Sequence, residues 1–140
     1  MSKMKISDKV QKELNRILKE HKWKSVNDLF HKMDLDHLVI EHTLSEYFMA
    51  YFQNKLDWKL ISIHQKLSEE FIEEFQDKVD WGYILKYQIL SEIFIEEFQH
   101  KWDWKLILQY QKFSRKFIIK YQDKLDINDL IKRKNFRFKT

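Results

Sequence analysis

Apolar and polar positions along the chain follow one pattern repeated four times. Leu44-Ser45-Glu46, Leu67-Ser68-Glu69, Leu90-Ser91-Glu92 and Phe113-Ser114-Arg115 open similar blocks spaced 23 residues apart. In the block that starts at Leu67, Phe71, Ile72 and Phe75 recur at i, i+1 and i+4, with Val79 one turn on. That is an apolar stripe of helical period. Ser68 precedes it where an N-cap belongs, because a hydroxyl there can accept from the orphan amides of a first turn. Glu69 and Glu70 follow where the helix dipole favours negative charge, and Lys78 lies towards the opposite pole. Asp80 can cap a second helix with Trp81, Ile84 and Tyr87 on its buried face; Asp57/Trp58/Ile61 and Asp103/Trp104/Ile107/Tyr110 repeat the arrangement. Each block therefore predicts two short helices, of about eleven and about nine residues. Helices this short are not stable alone in water. Stacking each copy on the next buries both stripes.

The expected fold is all-α: a short α-solenoid of 23-residue helix-pair repeats with an N-terminal capping helix, one helical-repeat domain over residues 1–140. Residues 3–20 predict the capping helix, with Val10, Leu14, Ile17 and Leu18 on one face. A degenerate repeat aligns at 21–43, where Lys32, Asp34, Leu35 and Leu38 fall on the repeat pattern. Clear repeats follow at 44–66, 67–89, 90–112 and 113–135, then a basic tail at 136–140. The fourth repeat, with Ile127 in place of Trp, suits a terminal cap.

Composition narrows the function classes. One Gly and no Pro leave little of the turn punctuation that β-rich folds need. With a single glycine, Gly82, a phosphate-cradling Gly-rich loop is practically excluded, and no G-x-S-x-G element or credible triad is present. The absence of Cys removes disulfides, thiolate metal sites and thiol nucleophiles. His21, His31, His37 and His42 show no i, i+4 pairing of a helical zinc site and read as surface or junction histidines. No enzyme activity, cofactor or metal is expected. The amino terminus has no signal-peptide apolar region, and no apolar run approaches the roughly 20 residues of a membrane span. The expectation is a cytoplasmic protein, neither secreted nor membrane-bound.

The net charge of +4 is unevenly spread. Lys and Arg number nine against seven Asp and Glu in residues 1–43, eight against twelve in 44–112, and nine against three in 113–140. Glu69, Glu70, Glu73, Glu74, Glu92, Glu96 and Glu97 put seven carboxylates on the first helices of two adjacent repeats. Dipole matching does not require so many. A solvated face explains them, and so does a docking surface for a basic partner. At the carboxyl end, Arg115, Lys116, Lys120, Lys132, Arg133, Lys134, Arg137 and Lys139 form a basic group interleaved with Phe136 and Phe138. Clustered cations attract phosphate, and cations among aromatics suit single strands. A solubilising tail with its Phe residues folded back onto the last repeat is the other reading.

Two columns of residues recur with the repeat. Trp58, Trp81 and Trp104 could offer a stacking platform, but their spacing from Ile61, Ile84 and Ile107 places them on the buried stripe. Gln53, Gln76, Gln99 and Gln122 recur in the first helix, and Gln65, Gln88 and Gln111 near the end of the second. Their amides can satisfy backbone groups at the junctions. The rival reading is a row that recognises a ligand, as base-reading helical repeats do. The structural role is favoured.

The pattern Leu-Ser-Glu-x-Phe-Ile-x-x-Phe-x-x-Lys-x-Asp-Trp-x-x-Ile-x-x-Tyr-Gln, clearest in residues 67–88 and 90–111, resembles tandem 23-residue helical repeats of giant DNA viruses and AT-rich microbes. Met49, His64, Ile127 and Arg133 depart from it. The resemblance implies the repeat architecture and a viral or phage origin; it carries over no functional residue. A small viral protein without catalytic groups is expected to bind a host protein and to inhibit or recruit it. The alternative is nucleic-acid binding through the basic terminal repeat, assisted by Lys9, Lys12, Arg16 and Lys19. Apolar flanks at Leu106 and Leu108 allow for a homo-oligomer.

Overall fold

The computed structural model describes residues 6–32, 35–133 and 137–139, with Lys32 described by its backbone alone; Asp34, Lys134 and Phe136 lie outside the described residues. The described residues form eleven α-helices and one 3-10 turn, with no strand among them. None of these helices is long and apolar enough to cross a membrane. The chain groups into two compact units, Met1–Leu67 and Ser68–Thr140.

In the first unit, α1 (Asp8–Glu20) packs on α2 (Val26–Lys32) and on α4 (Glu46–Tyr51), while α3 (Leu35–Glu41) packs on α5 (Trp58–His64). Val10, Leu14 and Ile17 on one face of α1 are buried, as their spacing predicts. The degenerate stretch supplies a helix pair of its own, α2 and α3. The second unit holds three pairs. They are α6 (Glu69–Glu74) with α7 (Trp81–Tyr87), α8 (Glu92–Glu97) with α9 (Ile107–Tyr110), and α10 (Arg115–Lys120) with α11 (Ile127–Lys132). Of these, α7 packs against α9.

Each first helix starts as its sequence dictates. The Oγ atoms of Ser45, Ser68, Ser91 and Ser114 accept from the amides of Phe48, Phe71, Phe94 and Phe117. Asp57, Asp80 and Asp126 cap the second helices in the same manner. Each first helix is only six residues long, about half the expected length. The remainder winds into a tight turn, with the Lys55 amide bonded to the Phe52 carbonyl and Lys78 to Phe75. That turn carries Leu56, Val79, Trp102 or Leu125 into the core. The carbonyl it exposes is taken by a tryptophan: the indole N–H groups of Trp58, Trp81 and Trp104 donate to Gln53, Gln76 and Gln99 at 2.8, 3.0 and 2.9 Å. These indoles are half-buried, each sealing the end of one helix. In the second unit Trp81 stacks on Phe98 at 5.3 Å, and Trp104 meets Tyr121 at 5.1 Å.

The buried stripe of the second helices is rotated relative to expectation. Ile84 and Leu85 are buried, as are Ile107 and Leu108, whereas Tyr87 and Tyr110 are exposed. Leu108 is therefore core rather than a free apolar flank; Leu106 is partly exposed. The rotation brings the position after each Tyr, Gln88 or Gln111, onto the inner side.

Candidate functional site

Much of the recurrent polar chemistry is used inside the fold. The Gln65 amide accepts from the Leu44 N–H at 2.9 Å and donates to the carbonyls of Val39 and His42 at 2.6 and 2.7 Å. Gln111 repeats this on the Leu90 N–H, Leu85 and Gln88 at 3.3, 2.6 and 2.7 Å. Three backbone groups between helices are satisfied by one side chain, which is the structural role weighed from the sequence.

Glu69 and Glu92 are also drawn into the fold. The Glu69 carboxylate accepts from the Ser91 N–H at 2.5 Å and from the Ser91 hydroxyl at 2.9 Å. Glu92 does the same to Ser114 at 2.5 and 3.0 Å. Each serine thus donates to a carboxylate of the preceding repeat while capping its own helix. In the first unit Glu13 on α1 grips the Ser45 amide at 2.8 Å and its hydroxyl as well. The seven glutamates are consequently not one solvated face. Glu69 and Glu92 are half-buried fasteners. Glu96 is half-buried too, bonded by the Lys120 ammonium at 2.6 Å and the Tyr121 hydroxyl at 2.7 Å. Those bonds hold the Glu96 carboxyl below its ordinary pKa, the Lys120 contact first, and its bond to Glu96 holds Lys120 above the usual lysine range. Tyr121 is raised as well, chiefly by its hydrogen bond to Glu96.

Glu70, Glu73, Glu74 and Glu97 remain exposed, with no ion-pair partner among the described residues. Their register explains why. Glu96 lies one repeat after Glu73, and Lys120 one repeat after Glu97. In the register of the repeat, Glu97 therefore holds towards Glu73 the position that Lys120 holds towards Glu96, and a carboxylate stands where the later copy has a lysine.

The basic residues divide likewise. Lys120 is engaged by Glu96. Arg133 is half-buried, its guanidinium donating to the Leu108 carbonyl at 2.6 Å and to Asp129. Leu108 lies one repeat after Leu85, so Arg133 takes a carbonyl that Gln111 would take one repeat earlier. Arg115, Lys116, Lys132, Arg137 and Lys139 are exposed. The tail returns to its repeat: the Lys139 amide donates to the Phe113 carbonyl at 2.8 Å, and the Arg115 guanidinium lies over the Phe138 ring.

Sequence reasoning missed two clusters. His21 and His42 meet at 3.1 Å, with Glu20 3.7 Å from His42 and Trp23 stacked on His21. Their separation of 21 residues links two helices, a relation that no local spacing reveals. The other is the exposed pair Tyr87 and Tyr110, whose shared repeat position was visible but read as core. Among the described residues no group of three or more His, Asp or Glu could hold a metal ion. The chain matches no protein-family model, no curated protein and no solved structure.

Proposed function

We propose that the protein is a non-enzymatic binding module: a short α-solenoid of 23-residue helix pairs whose first helices present Glu70, Glu73, Glu74 and Glu97 to a basic protein partner. One observation carries this reading, the contrast between two equivalent places. Between the third and fourth repeats the outer face is neutralised from within by Lys120, and between the second and third it is not. Exposed like charges cost little when hydrated, so the fold tolerates them. They raise the rate of encounter with an oppositely charged surface, and a complementary partner supplies the missing cations. The recurrent Glu–Ser, Gln–backbone and Trp–carbonyl bonds support the stacking, since each ties a helix end to a neighbouring turn. The resemblance to viral repeats puts the partner in the cytoplasm of a host cell, where covering its basic surface would inhibit or recruit it.

Affinity capture with the wild-type chain and with a Glu70→Lys, Glu73→Lys, Glu74→Lys, Glu97→Lys variant tests this. The expected result is one stoichiometric basic protein held by the wild type and lost from the variant. Identical capture by both would refute the acidic docking face.

A further inference from the structure

A cavity of about 270 Å³ opens at the carboxyl end of the second unit, lined by Leu108, Tyr110, Gln111, Lys112, Arg133 and Arg137 among others. This is just below the ~300–1,000 Å³ typical of small-molecule sites. Its charged lining is cationic. Arg133 is held in place by the Leu108 carbonyl and Asp129. A guanidinium has five N–H donors, so others remain for a ligand. Arg137 and Lys112 have no partner among the described residues, and the Lys139–Phe113 bond ties down the segment that carries Arg137. Three cations and one counter-carboxylate leave a net positive cavity, which suits an anion.

What lies beside the cavity selects among anions. Tyr110 forms part of its wall and is 39% exposed; Tyr87, one repeat earlier, is 47% exposed. The Lys86 ammonium lies over both rings, 5.2 Å from the Tyr87 centroid and 5.8 Å from that of Tyr110. Tyr83 stacks on Tyr87 at 6.0 Å. Leading away from the cavity is therefore a row of accessible rings bridged by a cation. An acidic peptide would use the charges and leave the rings idle. A nucleic-acid duplex keeps its base faces stacked inside. An unpaired strand uses both, with phosphates on cations and bases on rings.

We propose that this cavity and the Tyr110–Lys86–Tyr87 row form a binding site for single-stranded nucleic acid, with a phosphate held by Arg133, Arg137 and Lys112 and neighbouring bases stacked on Tyr110 and Tyr87. The site is independent of the acidic docking face. The test is fluorescence-anisotropy titration of the full chain with a labelled oligothymidylate of about ten nucleotides, a length within the range of known single-strand sites. A duplex of equal length and inorganic phosphate serve as competitors. The single strand should bind more tightly than the duplex, with phosphate displacing it poorly. Tyr110→Ala and Tyr87→Ala should each weaken binding roughly tenfold. Arg137→Ala and Lys112→Ala should each weaken it and reduce the slope of log affinity against log salt by about 0.7. Lys116→Ala, outside the cavity, should stay within about twofold of the wild type. Arg133 is left intact because it also holds the Leu108 carbonyl. Absent binding, equal affinity for strand and duplex, full displacement by phosphate, or tyrosine variants that bind like the wild type would each overturn the proposal.

Discussion

The two units meet the same need at a helix start from different sources. In the second unit the carboxylates that grip Ser91 and Ser114 come from the preceding copy, Glu69 and Glu92 respectively, 22 residues away in each case. In the first unit it comes from Glu13, on a longer helix 32 residues away. The glutamine device is unchanged: Gln65 and Gln111 reach equivalent backbone groups, although in the first unit two of these belong to the degenerate stretch. The difference shows which needs stay the same while their source changes. In residues 21–43 Leu35 stands where three later copies have Trp, but the orphan amides and carbonyls at helix ends still need partners. Any side chain that arrives with the right chemistry can serve.

Breaking the conserved device should have the largest effect. Gln111→Ala strands two carbonyls and an amide, and with each unsatisfied buried group costing about 1–3 kcal/mol, a loss of at least about 3 kcal/mol is expected by urea denaturation. Gln65→Ala should cost a similar amount; a value near zero would end the equivalence of the two units. Next come the fasteners of differing origin. Glu13→Ala and Glu92→Ala should each cost about 2 kcal/mol, because both remove paired hydrogen bonds to a carboxylate. Unequal losses would mean that the source of the carboxylate matters. Trp81→Phe keeps most of the ring packing and strands the Gln76 carbonyl, for about 1 kcal/mol.

The smallest effects belong to the outer face. Glu97→Lys would copy the Glu96–Lys120 arrangement one repeat earlier and should raise Tm by about two degrees at low salt, fading as salt is added. The existing pair should show in the pH dependence. Because the Glu96 pKa is lowered by folding, its contribution is present above the ordinary carboxylate range and lost as pH falls through the lowered value. Lys120 is raised, so its contribution is present below the ordinary lysine range and lost as pH rises through the raised value. Melting curves of Glu96→Gln across pH should lack the acid-side decline that this carboxylate adds to the wild type.

The helix pairs and their caps were legible because Ser and Asp sit immediately before periodic apolar stripes, and both signals are local. Helix length was not, since the turn after Phe52 or Phe75 keeps an apolar period while tightening its bonding to span three residues, Lys55 to Phe52 and Lys78 to Phe75. The two halves of the glutamate group could not be separated from sequence either. Glu69 and Glu70 look alike in their first turn; only the neighbouring copy distinguishes the one that reaches Ser91. Tyr87 was misplaced because a step of three from Ile84 fits a buried stripe as well as a step of four does. The choice between them falls to Gln88, whose repeat equivalent Gln111 bonds backbone groups across the junction.

The equal reach of the two clasps in the second unit sets a rule for how that unit can change in length. Excising residues 90–112 would leave Ser114 as far along the chain from Glu69 as Ser91 now stands, so the clasp could close again without any other edit. An in-frame duplication of one copy would meet the same compatible ends. Growth and shrinkage by whole modules therefore preserve this clasp, whereas a gain or loss of a few amino acids within a copy shifts donor and acceptor apart.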